Sequence, residues 1–307
     1  MNASAVLADP VGTRARTSAK RPTASASDPE KDNQSFRERL PRPDIEDLVS
    51  CVWVMHVSNE GSAYEHRTIP NGCAEVVFVG GTSVVRAVGP RLQPVVDREP
   101  PGTSIVGVRF RPGVGPRIFG APASELVDQD MDLSLLWGRS ALELGARLAE
   151  ATSSRHAASL LEQEIHARRP ARADVDPLLG EAIRRLQPWQ QRNVSHAAAD
   201  LFISPRQLRR RFGAALGCGP KMLQRVLRFQ GFLALSRSHT EGDVSLARLA
   251  AAVGYADQSH LVRDSSVLTG LSPRVFLDEL RRTCGSNHEH APSFAPLRRV
   301  LQRATTG

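Results

Sequence analysis

Within six residues the chain places Arg206, Gln207, Arg209, Arg210 and Arg211, and a second polar run follows at Gln258, Ser259, His260 and Arg263. The planar fork of arginine matches phosphate oxygens and the guanine edge bidentately, and glutamine does the same for adenine. If these runs are helical, Gln207 and Arg210 stand one turn apart on a shared face. They then reach base edges while the flanking arginines hold phosphates. His260 has two readings, a contact to base or phosphate and a role in helix packing.

Other groups invite different chemistry. Glu75 follows Cys73, with Glu65-His66 upstream, a set that suggests acid–base or thiol reactivity; single residues of this kind in a β domain are more often structural or ligand-lining. The run Arg109-Phe110-Arg111-Pro112-Gly113 fits an acidic ligand held by two arginines and equally an edge strand ending at a Pro-Gly turn. Trp53, Glu75, Arg109 and Arg111 are therefore the ligand-binding candidates of the first half. His288-Glu289-His290 has the look of a chelator, but a solvated tail is the simpler reading. The four cysteines have no zinc-knuckle or redox spacing, and His56 and His66 lack the two-residue pattern of a cupin metal site, so no metal and no cofactor is expected. No phosphate-cradling glycine loop, Gly-x-Ser-x-Gly elbow or metalloprotease helix occurs, and the chain is not expected to be an enzyme.

Charge is distributed unevenly. Residues 1–180 carry 21 Lys/Arg against 23 Asp/Glu, whereas 181–283 carry 16 against 8, and 15 of those 16 are arginine. The net charge of +8 thus comes from the C-terminal third and points to a polyanion. No apolar run is long enough for a membrane span, and the first residues lack a secretory h-region, so a cytoplasmic, nucleoid-associated location is expected, without membrane contact.

The elements that must position these residues follow from pattern. Residues 1–35, rich in Ala, Ser, Thr and Pro, read as a disordered arm. The β-branched runs at 48–55, 75–79, 84–88 and 104–110 predict a β-rich domain, closed after Gly138 by a helical hairpin; this domain spans 36–168. A linker at 169–176 leads to an all-helical domain at 177–283 and a basic tail at 284–307. Inside the helical domain the sequence resembles itself at an offset of 53: Leu208 with Leu261, Arg210 with Arg263, Gly217 with Gly270 and Pro220 with Pro273. Upstream the offset is 52, pairing Ala198 with Ala250 and Phe202 with Gly254. A one-residue indel between two helices is what a turn tolerates. Ser204 as N-cap with Pro205 behind it, and Gly217 and Gly270 as C-caps, bound the second helix of each unit. The apolar spacing from Lys221 to Ser236 predicts a rigid helix between the units.

Ser204-Pro205-Arg206-Gln207-Leu208-Arg209-Arg210-Arg211-Phe212 with Gly217 and Pro220, and Leu249-Ala250, Gly254-Tyr255-Ala256-Asp257-Gln258-Ser259-His260-Leu261 with Arg263, Thr269-Gly270 and Ser272-Pro273, resemble the AraC/XylS-type transcription regulators. That resemblance implies two helix-turn-helix units joined by a long helix, sequence-specific double-stranded DNA binding, and Ser204 and Asp257 among the DNA-binding positions. Two departures stand out. Phe202 occupies a turn position that usually holds Gly or a small polar residue, so it must accept strain or turn its ring into the long helix. Ser265-Ser266-Val267 lacks the core and basic residues usual in the second unit, which is expected to weaken that unit. Motifs such as Pro70-Asn71-Gly72-Cys73 and Leu136-Trp137-Gly138 are similar to a β-rich sensor domain, possible kin of cupin-like barrels. The fold class expected is α+β multidomain. The function expected is transcription regulation, modulated by a small-molecule effector or by homodimerisation, with RNA polymerase as a further partner. The rival reading is an enzyme whose β domain acts while the helical domain delivers it to DNA.

Overall fold

The computed structural model describes residues 34–60, 62–170, 176–190, 192–237, 245–283 and 288–290. Residues 1–33 of the arm expected at 1–35, and most of the tail, lie outside them; Gln34 and Ser35 open a strand instead. Seven strands make one sheet in the order β8-β5-β4-β7-β2-β1-β9: β1 (Gln34–Arg39), β2 (Val49–Val57), β4 (Glu75–Val79), β5 (Val85–Val88), β7 (Ser104–Phe110), β8 (Asp130–Asp132) and β9 (His288–Glu289). β3 (Tyr64–Thr68) and β6 (Val95–Glu99) form a separate antiparallel ribbon. The run at 48–55 is the interior strand β2, hydrogen-bonded to β1 and β7.

Strand alternation gives the sheet two different faces. Val52, Val76, Phe78, Val106, Val108 and Phe110 point one way, into a core closed by α4 (Arg139–Ala149) and α5 (Ser154–Ala167) through Leu144, Leu148, Leu161 and Ile165. Short helices α1 (Gly115–Phe119), α2 (Ala123–Leu126) and α3 (Ser134–Trp137) link the sheet to that hairpin. The other face carries Cys51, Trp53, Met55, Val57 and Ile105, which pack with Tyr64 of the ribbon. Gly107 is required there: a Cβ at that position would lie 2.1 Å from the Trp53 ring.

The helical domain is built around a strut, α9 (Pro220–Ser236), whose 17 residues span about 25 Å. Leu223 and Leu227 on one side join the core of the first unit, with Leu208, Phe212 and Leu216. Val226, Phe229, Phe232 and Leu233 on the other join Leu261, Leu268 and Phe276 of the second. α6 (Pro177–Arg185), α7 (Val194–Ala199) and α8 (Pro205–Leu216) make up the first unit. α10 (Leu246–Ala252), α11 (Gln258–Thr269) and α12 (Pro273–Thr283) make up the second.

The tail departs from its solvated reading. β9 adds to β1 in parallel, pairing Phe36 with His288 and Arg37 with Glu289. The His290 ring stacks on Phe36 at 4.7 Å between centroids, and Gln34 donates from Nε2 to the Thr283 carbonyl at 2.6 Å. The strand edge that β1 would otherwise leave open is thereby covered.

Candidate nucleic-acid interface

The two units are geometric copies. α8 and α11 are each 12 residues long and end at left-handed glycines, Gly217 (φ +68°) and Gly270 (φ +75°). The tight turns before them are left-handed too, at Phe202 (φ +55°) and Gly254 (φ +83°). The shift in offset from 52 to 53 therefore falls between the turn and the N-cap of the second helix. Phe202 takes the strained alternative: its ring does not reach the strut and is 97 % exposed.

The caps consume several of the residues expected to touch DNA. Ser204 Oγ accepts from the Gln207 amide at 3.2 Å, and Gln207 Oε1 accepts from the Ser204 amide at 2.8 Å. This capping box satisfies two otherwise orphaned donors. Asp257 caps α11 by accepting from the His260 amide at 2.6 Å. Arg211 turns toward α6 and donates to Asp176 at 2.6 Å, the residue that also caps α6. His260 Nε2 lies 3.3 Å from Arg228 Nη1, and its ring meets Tyr255 edge-on.

Arg206, Arg209 and Arg210 on α8, and Gln258, Ser259 and Arg263 on α11, are exposed. The four arginines among them form no ion pair with any described residue. Several arginines elsewhere in the domain are held by carboxylates: Arg184 and Arg185 hold Glu181, Arg185 also holds Asp200, and Arg225 holds Asp264, whereas Arg228, Arg248 and Arg274 form no ion pair with a described residue. Arg206, Arg209 and Arg210 recur at helical spacing and make one cationic face, beginning in the first turn of α8. Ser265 is fully buried and donates to the Leu271 carbonyl at 2.9 Å, while Thr269 Oγ1 donates to the Ser265 carbonyl at 2.8 Å. The small residue thus closes the core of the second unit by hydrogen bonds instead of apolar volume.

In the N-terminal domain three of the four ligand candidates converge. Arg109 Nε donates to Glu75 Oε1 at 2.7 Å and its Nη1 to Glu38 Oε1 at 3.1 Å; Trp53 Nε1 donates to Glu75 Oε2 at 2.8 Å. Burial opposes the Arg109 charge, but Glu75 and Glu38 outweigh it and hold the guanidinium protonated well above its ordinary range. Arg111 lies apart, donating to the Glu46 carbonyl at 2.6 Å. Cys73 is buried, and loss of hydration, reinforced by Glu75, pushes its thiol up to about 12. His66 stacks on Tyr64 in the ribbon, with Asp97 3.8 Å away. Sequence reasoning missed Glu38 and Asn71, whose Nδ2 donates to Glu75 Oε1 at 3.2 Å; strand alternation with Phe36 was the available signal for Glu38. It also missed Arg228 on the strut, which stands three residues after Arg225.

Paired helix-turn-helix units on one strut, each presenting a polar helix with uncompensated arginines, define a DNA-binding transcription regulator. Residues 197–279 match the family described as a helix-turn-helix domain, and this part of the chain is an AraC-type double helix-turn-helix domain. Residues 37–132 match a family described as a domain of unknown function (DUF6597). No curated protein matches the chain. Among solved structures, ToxT from Vibrio cholerae O395 is 10 % identical with a TM-score of 0.40, covering 80 % of this chain and 98 % of that one. A second crystal form of ToxT from Vibrio cholerae is 11 % identical with a TM-score of 0.41, covering 80 % and 99 %. Unsaturated-fatty-acid-bound ToxT from Vibrio cholerae strain SCE256 is 9 % identical with a TM-score of 0.35, covering 80 % and 93 %. With TM-scores below 0.5, these likenesses add nothing to an assignment that rests on the two helical units. Among the described residues no helix is long and apolar enough to cross a membrane.

Proposed function

We propose that α8 and α11 enter successive major grooves on one face of a duplex and read it through Arg206, Arg209 and Arg210 in the first unit and Gln258, Ser259 and Arg263 in the second. The observation that carries this reading is the clustering of the arginines: those on the outer faces of α8 and α11 are exposed without ion pairs to described residues, while Arg184, Arg185, Arg211 and Arg225 are bound to carboxylates. Ser204, Gln207 and Asp257 shape the helix starts, and Arg211 and His260 position the helices. The amide nitrogen of Gln207 is its remaining group for a base edge.

The test is binding of the full chain to a duplex from upstream of its own gene, with a scrambled duplex as competitor and over a salt series. Arg209→Ala and Arg210→Ala are each expected to cost about 1–3 kcal/mol where the residue reads a base, with specificity relaxed at one position; equal loss on both duplexes marks a phosphate contact. Retention of full affinity by the double variant sinks the assignment.

The same reading places the small-molecule effector on the sheet face that holds Trp53, Glu75 and Arg109, where a charged cluster sits beside aromatic rings. Arg111 binds the Glu46 carbonyl and makes no hydrogen bond to the cluster, so it is left out of that role. A protonated, buried Cys73 and a Glu75 held by three donors favour a binding role there over catalysis. RNA polymerase and a second copy of the chain are the protein partners of such a regulator, and Leu135 on α3 and Leu142 on α4, both exposed, offer apolar surface for the latter. Its working place is with chromosomal DNA in the cytoplasm.

A further inference from the structure

Between the two helix-turn-helix units the strut floors a cleft of about 430 Å³. Its polar lining comes from Gln187 after α6, Arg192 and Asn193 at the start of α7, Gln224 and Arg228 on α9, and His260 in the first turn of α11. Pro188, Val253 and Tyr255 form its apolar base. The cleft therefore spans the seam of the domain and belongs to neither unit alone.

Its electrostatics are unbalanced. Arg228 is half-buried, and no carboxylate of the described residues forms an ion pair with it; its contacts are an imidazole nitrogen at 3.3 Å and the face of Tyr255 at 5.1 Å. Asp264 is buried; Arg225 holds its Oδ1 at 2.9 Å, and its Oδ2 lies 3.8 Å from His260 Nε2. Arg192 lies 3.8 Å from Asp200, which already binds Arg185 at 2.9 Å. Gln224 does not compete for a ligand, because its Nε2 donates to the Arg192 carbonyl and braces that segment. Asn193, which lines the cleft, uses Oδ1 to cap α7 and keeps its amide N–H groups as donors. Thus the cleft offers one guanidinium, Arg228, that no carboxylate of the described residues pairs with, a second, Arg192, that shares Asp200 with Arg185, and an amide donor. A partly desolvated guanidinium is unfavourable until an anion reaches it.

The recognition helices say which anion. Two such helices in successive major grooves lie about 34 Å apart along one face of the duplex. The minor groove between them, bordered by its two backbones, must then pass over the seam. We propose that this cleft is a phosphodiester seat: Arg228, supported by Arg192 and Asn193, holds a backbone phosphate between the two major-groove contacts and so sets the register of one unit against the other. The inference rests on the DNA-binding reading above and extends it to a residue on the strut. Arg228 positions without reading sequence, since a phosphate carries none.

The experiment compares the full native chain with Arg228→Ala and Arg228→Lys on the duplex from upstream of its own gene and on a scrambled duplex, over a salt series. Arg228→Ala is expected to weaken both complexes by the same factor, roughly tenfold, and to reduce the slope of log K against log salt by about 1. Arg228→Lys restores the slope. A purely structural role for Arg228 would lower affinity without changing the number of counterions released. Phosphate-ethylation interference on the native chain supplies a readout that needs no variant: ethylation midway between the two major-groove footprints is expected to block binding. Silent central phosphates, or an unchanged slope in Arg228→Ala, overturn the seat while leaving the two-groove reading intact. Failure of the native chain to distinguish its own duplex from the scrambled one overturns the reading on which the seat depends. Inorganic phosphate separates a duplex seat from a small-anion site: saturable binding of phosphate alone, lost in Arg228→Ala, overturns the proposal.

Discussion

Phe202 holds a left-handed conformation that a non-glycine residue adopts at a cost of about 1–2 kcal/mol, yet its ring makes no compensating burial, being 97 % exposed. Replacement by glycine, the residue at the matching position Gly254, removes the steric penalty and sacrifices no packing. Phe202→Gly is therefore expected to raise stability by about 1 kcal/mol, read as a higher midpoint in thermal unfolding, with the salt slope of DNA binding unchanged. A lower midpoint would mean that the ring has a partner the folded chain needs. Ser265 illustrates the opposite outcome. A residue that looked like a lost core side chain is fully buried and hydrogen-bonded, so the weakening expected of the second unit has no cause in its packing.

Caps and edges decide what the elements do. The capping box at Ser204 and Gln207 starts α8 cleanly and aims Arg206, Arg209 and Arg210 outward, at the expense of Gln207 as a reader. At the other end of the domain the added strand β9 is held by rings that must stay neutral. Burial, with Arg237 and His66 nearby, pulls His288 down to about 4. Burial, with Arg237, His288 and Arg109, pulls His290 down to about 2. In a released tail both take a proton near the ordinary 6.5. Docking is thus at full strength above that pH and weakens as pH falls through it, by up to roughly tenfold per ring per pH unit, until the docked rings themselves protonate. Hydrogen exchange at the β1 amides that face β9 instead of β2, corrected for intrinsic rates, should show protection at pH 7.5 that is lost by pH 5; equal protection at both would show that the strand is not held by neutral histidines.

The domains meet along the strut. Gln230 Nε2 donates to the Pro70 carbonyl at 3.0 Å, Arg67 pairs with Glu279 at 2.8 Å, and a Cβ on Gly72 would stand 2.7 Å from Leu223 Cδ1. The same loop carries Asn71, which holds Glu75. A ligand that rearranges the Glu75–Arg109 cluster therefore pulls on the loop that rests against α9, the element that spaces the two units. The contacts also imply that the domains unfold together. Arg67→Ala combined with Gln230→Ala is expected to split one calorimetric transition into two; a single unshifted transition would show that these contacts do not couple the domains.

Much of the helical domain was legible because its signals are local. The repeat pairs Leu208–Leu261 and Gly217–Gly270, the cap at Ser204 and the apolar spacing of the strut depend on neighbours a few residues away, and helix physics acts over that range. The same locality revealed the four internal strand runs of the β domain but not β1, β3, β6 or β8, which carry mixed, half-exposed sequences whose pairing is decided by distant partners. Side-chain assignments were legible only as types. Which arginine meets a carboxylate depends on Asp176, Asp200 and Asp264, residues brought alongside by packing, so tertiary structure sorted Arg211 and Arg225 from Arg206, Arg209 and Arg210. By itself the sequence determined that two copies of one helical unit lie on a cationic strut; only the tertiary structure decided which charges remain without a partner, because ion pairing depends on distance in space and not along the chain.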